Sequence, residues 1–192
     1  MDIVAKGIDV SRFQGKIDWQ KVKASGIEFA MVRAGWTWYE GGLDVDVNFK
    51  TNMDNAIAAG VPVGVYVYSY DHSVAAAEIA AKLVIDLVAP YQLSYPIAFD
   101  MEYEEFNKTT GRGAVNTSIC IAFLDAIERA GYYASLYCSK DFFNNYLELN
   151  RLKRFDKWVA QYSSECTFAD EYGMWQYTNK GKVEDVYKRQ HI

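Results

Sequence analysis

Side chains that bind metals or act as nucleophiles are scarce in this 192-residue chain, which has three cysteines and two histidines. Cys120, Cys138 and Cys166 lie far apart and are odd in number, which disfavours both a disulfide framework and a zinc site. His72 and His191 form no cluster that could bind a metal or build a Ser-His relay. We therefore expect chemistry based on carboxylates, without a metal or other cofactor.

Long apolar runs and an excess of positive charge are also missing. No run approaches the roughly 20 apolar residues of a membrane helix, and residues 1–6 lack the basic and apolar regions of a signal peptide. The net charge of -5 argues against a nucleic-acid groove, which needs a basic stripe. Apolar residues make up 51% of the chain, so a single domain can bury a full core. The 15 tyrosines and five tryptophans would suit a carbohydrate partner.

The segment 95–102 (YPIAFDME) predicts a buried strand that ends in two acids. Alternation along a strand puts Ala98, Asp100 and Glu102 on one face. The two acids would lie about 7 Å apart, close enough for each charge to raise the pKa of the other. A proton donor beside an ionised carboxylate is what cleavage of a glycosidic bond requires. A lone D-x-E is short and most often only ends a strand in a solvated loop, so the rest of the chain has to decide.

Strands and helices are predicted to alternate over most of the chain. Strands should begin near Val4, Glu28, Val61, Tyr95, Tyr132, Lys157 and Tyr172. Helices are predicted at 18–25, 47–59, 73–88 and 116–130, with a further one from 139 to about 152. Asn116 and Ser139 are the predicted N-caps of the last two. This order indicates right-handed β-α-β units and a parallel sheet with helices outside.

The last two strands leave no room for a helix between them, so they should be joined directly. We therefore predict an α/β fold of the modified TIM-barrel type, (β/α)5(β)3, with its eighth strand missing from this chain. In such barrels the active site lies at the carboxyl ends of the strands, where Asp100 and Glu102 fall. The same alternation points Asp9, Tyr66, Tyr68 and Tyr137 inward, where a purely structural barrel would carry aliphatic side chains.

Several motifs, in order along the chain, resemble those of the Chalaropsis-type lysozymes, glycoside hydrolase family 25. They are GIDVS (7–11), QG (14–15), IDW (17–19), VRAG (32–35), GVYVY (64–68), FDME (99–102), WVAQY (158–162) and MWQY (174–177). The resemblance implies a β/α barrel with helix-poor final strands. It also implies hydrolysis of the β-1,4 bond between N-acetylmuramic acid and N-acetylglucosamine in bacterial peptidoglycan.

The resemblance also suggests roles for particular residues. Glu102 would be the general acid and later the base, and Asp100 the carboxylate that stabilises the reaction centre. Asp100 could attack the sugar itself or orient the N-acetyl group of the substrate to do so. Asp9 would support the site electrostatically. The expected substrate contacts are Arg33, Tyr66, Tyr68, Tyr137, Gln161, Trp175 and Gln176, although core packing is an equal alternative for Trp175.

The C-terminus departs from the family pattern. Members continue after a Gly-x-Val such as 181–183 into a strand with a V-D-x-N motif, whereas this chain reads DVYKRQ at 185–190. Those six residues match a translation of the transposase end sequence used in sequencing-library adapters. We therefore expect a catalytic barrel over residues 1–184 that is truncated at its C-terminus, and a non-native tail over 185–192.

Two other functions compete with this interpretation. A family 18 chitinase-like barrel would require aspartates in place of Tyr95 and Ala98, which disfavours it. A non-catalytic glycan-binding barrel remains an alternative, because a fold alone does not establish activity. With peptidoglycan strands as the partner, the protein should act as a monomer, outside the cell or at the cell wall. It would be a phage lysin or an exported enzyme.

Overall fold

The structure is a computed structural model that describes residues 4–102, 105–109 and 111–183. The strands are β1 (Gly7–Val10), β2 (Phe29–Thr37), β3 (Leu43–Val45), β4 (Val63–Tyr68), β5 (Ile97–Asp100), β6 (Ala134–Ser139), β7 (Asp156–Ala160) and β8 (Met174–Gln176). The helices are α1 (Trp19–Ala24), α2 (Phe49–Ala58), α3 (Val74–Val88), α4 (Gly113–Arg129) and α5 (Lys140–Tyr146). The predicted strands begin within three residues of the observed ones.

Seven of the described strands form one curled parallel sheet in the order β1-β2-β4-β5-β6-β7-β8. Helices follow the first five of these strands, whereas β7 and β8 are joined by a loop without a helix. The predicted barrel type is confirmed, because the sheet forms a half-barrel that lacks a closing strand among the described residues. The tail predicted at 185–192 lies outside them.

The two faces of the sheet differ in chemistry. Val63, Val65 and Val67 face the helices and belong to the large apolar core between helices and sheet. The inner face instead carries a cluster of aromatic and small residues: Phe29, Met31, Tyr66, Ala98, Tyr137, Trp158, Ala160 and Met174. The alternation predicted for these strands is therefore confirmed. Pairing of Tyr68 with Asp100, and of Asp100 with Tyr137, brings polar side chains together at the carboxyl edge.

The helix α3 shows how the outer layer is held. Its N-cap Ser73 accepts a hydrogen bond from the Ala76 backbone N–H at 3.1 Å, an interaction worth about 1 kcal/mol. Its buried face is mostly alanine, so α3 packs closely against α4. In the part of the chain that is described, every helix is too short or too polar to span a bilayer.

One strand was not predicted. The short strand β3 pairs antiparallel with the end of β2, with Gly35 opposite Val45. A Cβ atom at Gly35 would collide with the Asp44 backbone carbonyl, so this close approach requires glycine. Because β3 has only three residues and follows Gly41 and Gly42, its sequence carries almost no periodic signal.

Two helix boundaries were predicted wrongly. The helix α4 begins at Gly113, so Asn116 lies inside its first turn instead of capping it. The Asn116 amide donates to the backbone carbonyls of Asn107 (2.9 Å) and Tyr146 (3.2 Å), a tertiary role that local sequence does not reveal. Ser139 does cap α5, as expected. That helix ends at Tyr146, and residues 149–151 form a separate 3-10 turn.

Candidate active site

A cavity of about 410 Å³ opens at the carboxyl ends of the strands. Each strand of the curled sheet contributes at least one lining side chain directly or from the turn that follows it. The lining residues are Asp9, Ser11, Phe13, Gln14, Arg33, Tyr66, Tyr68, Asp100, Glu102, Tyr137, Trp158 and Gln176. The structure therefore brings all three predicted acids, and five of the predicted contact residues, into one cavity.

The side chains of Asp100 and Glu102 interact, and this interaction raises the pKa of Asp100. Two carboxyl groups that interact in this way favour a state in which one of them holds a proton. Burial raises the pKa of Asp100 well above its usual range, and the charges of Glu102 and Asp9 raise it further. Arg33 opposes this shift. The sequence predicted a raised pKa from the two neighbouring acids. The pKa of Asp100 is raised, but burial contributes more than the neighbouring charge does.

Asp9 lies on the inner face of β1 and is only 2% exposed. Burial raises the pKa of its carboxyl group to about 7, and a hydrogen bond from Gln176 partly opposes this shift. The negative charge of Glu102 contributes to the rise. Asp9 therefore holds its proton to a much higher pH than an ordinary aspartate, and the charge of Glu102 influences its titration.

Arg33 supplies the positive charge among the residues that line the cavity. Its guanidinium group donates from Nε (2.8 Å) and Nη2 (2.6 Å) to the buried carboxylate of Asp46. The same carboxylate accepts from the Arg12 backbone N–H at 3.0 Å. Arg33 is thereby held in place by Asp46, and it can stabilise negative charge in the cavity without moving.

Four lining residues were not predicted as site residues: Ser11, Phe13, Gln14 and Trp158. Ser11 and Gln14 form a capping box, in which the Ser11 backbone N–H donates to Gln14 Oε1 at 2.7 Å. This turn places the exposed Phe13 ring at the cavity rim. Trp158 could have been found from its alternation with the outward-facing Val159 in β7.

Two predicted contact residues, Gln161 and Trp175, lie outside the cavity lining. The Gln161 side chain is hydrogen-bonded within the β7–β8 loop, where its Oε1 accepts from the Thr167 backbone N–H at 2.9 Å. Trp175 lies on the opposite face of β8 from Gln176, and its Nε1 donates to the Gln161 carbonyl at 2.8 Å. Contact of Gln161 and Trp175 with substrate stays a prediction.

A family model for the glycosyl hydrolases family 25 matches residues 8–186. The chain belongs to this family. The autolytic lysozyme of Clostridium acetobutylicum is 26% identical to it over 183 residues, which cover 94% of this chain and 52% of that protein. Family membership agrees with the motifs that carry Asp9, Asp100 and Glu102.

Solved structures of similar proteins share the fold. The modular autolysin LytC from Streptococcus pneumoniae superposes with a TM-score of 0.84 at 29% identity, covering 97% of this chain and 45% of that chain. A family 25 glycosyl hydrolase from Bacillus anthracis gives a TM-score of 0.79 at 25% identity, covering 100% of this chain and 88% of that one. The family 25 chain described here spans about half the length of the lysozyme and of LytC.

The raised pKa of Asp9 predicts that this family 25 protein loses stability as pH rises. Its folded pKa of about 7 exceeds the ordinary value of 3.8, so the folded state favours the protonated acid. The stabilisation is complete below the ordinary value and is lost as pH rises through about 7. Asp9→Asn should therefore unfold at higher urea than the parent at about pH 8, by up to roughly 4 kcal/mol, and match it at about pH 4. An equal difference at both pH values would contradict this reasoning.

Proposed function

We propose that this chain is the catalytic domain of a peptidoglycan hydrolase that cleaves the β-1,4 bond between N-acetylmuramic acid and N-acetylglucosamine. The observation that carries the proposal is that Asp100 and Glu102 together line a cavity at the carboxyl edge of a family 25 barrel. The LytC autolysin has been solved with a synthetic peptidoglycan ligand. The combination of an acid pair with aromatic walls supports the same type of substrate here.

A single proton on this acid pair would divide the reaction between the two acids. When the proton resides on Glu102, Asp100 is the anion, and Glu102 can protonate the oxygen of the scissile bond as that bond breaks. Asp100 stabilises the positive charge on the anomeric carbon, either by attacking that carbon or by orienting the N-acetyl group that attacks it. Water then supplies hydroxide to the carbon and returns its proton to Glu102. Asp100 and Glu102 therefore return to their starting protonation states after one cycle.

The remaining cavity residues have roles that follow from their positions. Asp9 adds negative charge that favours proton retention by the pair. The positive charge of Arg33 acts in the opposite direction and lowers the pKa of Asp100. The ion pair with Asp46 keeps this charge in the cavity. The rings of Tyr66 and Tyr68 offer flat walls for sugar rings.

The proposal also specifies a partner and a place of action. The substrate would be the glycan strands of bacterial peptidoglycan, with the protein acting as a monomer at the cell wall or outside the cell. Similarity to an autolytic lysozyme and to a modular autolysin supports this place of action.

The products of digestion test the proposal directly. Purified peptidoglycan incubated with the protein should release soluble muropeptides that end in reducing N-acetylmuramic acid, as identified by mass spectrometry after borohydride reduction. Reducing N-acetylglucosamine ends would instead indicate cleavage of the other glycosidic bond. Binding to peptidoglycan without any release would favour the glycan-binding barrel.

A further inference from the structure

Gln176 lies at the centre of a buried hydrogen-bond network that joins the two ends of the sheet. It is 1% exposed on the inner face of β8. Its Nε2 donates to Asp9 Oδ2 at 2.9 Å, although the two residues are 167 positions apart in the chain. Its Oε1 accepts from the hydroxyl of Tyr137 at 2.9 Å and from that of Tyr162 at 3.0 Å.

The Asp9 carboxylate determines which way the Gln176 amide points, because it can only accept hydrogen bonds. Each tyrosine hydroxyl donates to Oε1, so both acceptor positions of that oxygen are occupied. The amide NH2 faces Asp9, where only an N–H group can stabilise a carboxylate. Turning the amide over would let its NH2 donate to the hydroxyl oxygens, but it would place the amide oxygen against the Asp9 carboxylate and lose that hydrogen bond.

We infer that Gln176 is a positioning residue that acts through Asp9, holding this carboxylate in place and in its charged form, and that Tyr137 and Tyr162 anchor the Gln176 side chain by bonding its amide oxygen. The inference rests on the proposed function and deepens it, because the sequence had suggested only that Gln176 contacts substrate. Of the two tyrosines, Tyr162 is 53% exposed in the β7–β8 loop. The network therefore reaches from the surface loop to the buried acid on β1.

Other groups also act on the charge of Asp9, and they face it from several strands. Glu102 and Asp100 carry like charge on and after β5, and Arg33 on β2 carries opposite charge. Tyr66, Tyr137 and Tyr162 also interact with Asp9 electrostatically. Among these side chains, Gln176 donates the hydrogen bond that favours the charged form of Asp9. Its removal should therefore raise the pKa of Asp9.

The test is a carbon-13 titration of the Asp9 carboxyl group, with the signal assigned by its loss in Asp9→Asn. Gln176→Met keeps the shape of the side chain but removes the N–H donor, and it should raise the pKa of Asp9 by about one to two units. The matched control, Gln20→Met on the surface of α1, should leave it unchanged. If Gln176→Met does not fold, Gln176→Asn keeps an uncharged amide on a side chain one methylene shorter, so it should lose the hydrogen bond to Asp9 and shift the pKa of Asp9 in the same direction. An unshifted Asp9 pKa in the folded variant overturns the inference.

Kinetics separate positioning from substrate contact. If Gln176 acts through Asp9, Gln176→Met should lower kcat by about 10- to 100-fold. In the plot of kcat against pH, the acid limb should shift to higher pH. The same change in an Asp9→Asn background should then cost about twofold at most. A raised KM with unchanged kcat, or losses that add fully in the double variant, would make Gln176 a substrate contact instead.

The two readouts also distinguish this inference from the proposed function. The titration needs no substrate, so it tests the Gln176–Asp9 link even if the protein fails to cleave peptidoglycan. If the parent cleaves peptidoglycan but the pKa of Asp9 is unchanged in Gln176→Met, the proposed function is supported and the role inferred for Gln176 is wrong.

Discussion

Glu102→Gln should lower kcat for peptidoglycan cleavage by about 10²- to 10⁴-fold, the usual contribution of a general acid. The amide has nearly the shape of the carboxyl group but cannot transfer a proton to the leaving oxygen. It can still hydrogen-bond to Asp100, and the side chain is only partly buried, so the fold should be retained. Release of reducing ends from purified peptidoglycan measures the loss, and circular dichroism checks the fold.

The control for this variant is Glu78→Gln, which removes the same charge from the exposed face of α3. It should cleave like the parent. Near-parental cleavage by Glu102→Gln would show that another group donates the proton. Undiminished binding of peptidoglycan by Glu102→Gln is expected in either case, because binding does not require the proton.

Asp100→Asn should also lower kcat by about 10²- to 10⁴-fold. Most substitutions of buried residues destabilise a protein, whereas this one should stabilise it. Asp100 is 4% exposed, and its Oδ1 has no hydrogen-bond partner among the described residues. An amide carries no negative charge to stabilise the sugar cation, so catalysis suffers. Because burial makes the ionised acid costly, the variant should unfold at higher urea than the parent above neutral pH.

The comparison tests the charge of Asp100 during the reaction. Asp86→Asn on the exposed end of α3 is the control, and it should change neither kcat nor the urea midpoint by much. If Asp100→Asn cleaves at nearly the parental rate, the residue works as a neutral hydrogen-bonding group. The division of roles proposed for the acid pair would then be wrong.

The elements that form the barrel could be predicted because their signals are local and repeated. Valines at every second position of β4, and acids at every second position at the end of β5, identify the inner and outer faces without any knowledge of neighbouring strands. The strand β3 and the true start of α4 could not be predicted in this way. The first depends on Gly35 meeting the Asp44 backbone, and the second on an Asn116 side chain that bonds to distant carbonyls.

The residues of the site also differ in whether local sequence could predict them. Residue types and alternation determined that Asp9, Tyr66, Asp100, Glu102 and Tyr137 would face one cavity, since each needs only the parity of its own strand. The chain alone could not show that Gln176 reaches Asp9, that Trp175 lies on the outer face of β8, or that burial raises the pKa of Asp100 more than the charge of Glu102 does.

Those features depend on the curl of the sheet, which brings its first and last strands together, and on the depth at which each acid is buried. Which groups are available for chemistry can thus be read from residue types and strand alternation. Their partners and the shifts in their pKa values follow from the folded structure, because hydrogen bonding and desolvation depend on distances between residues far apart in the chain.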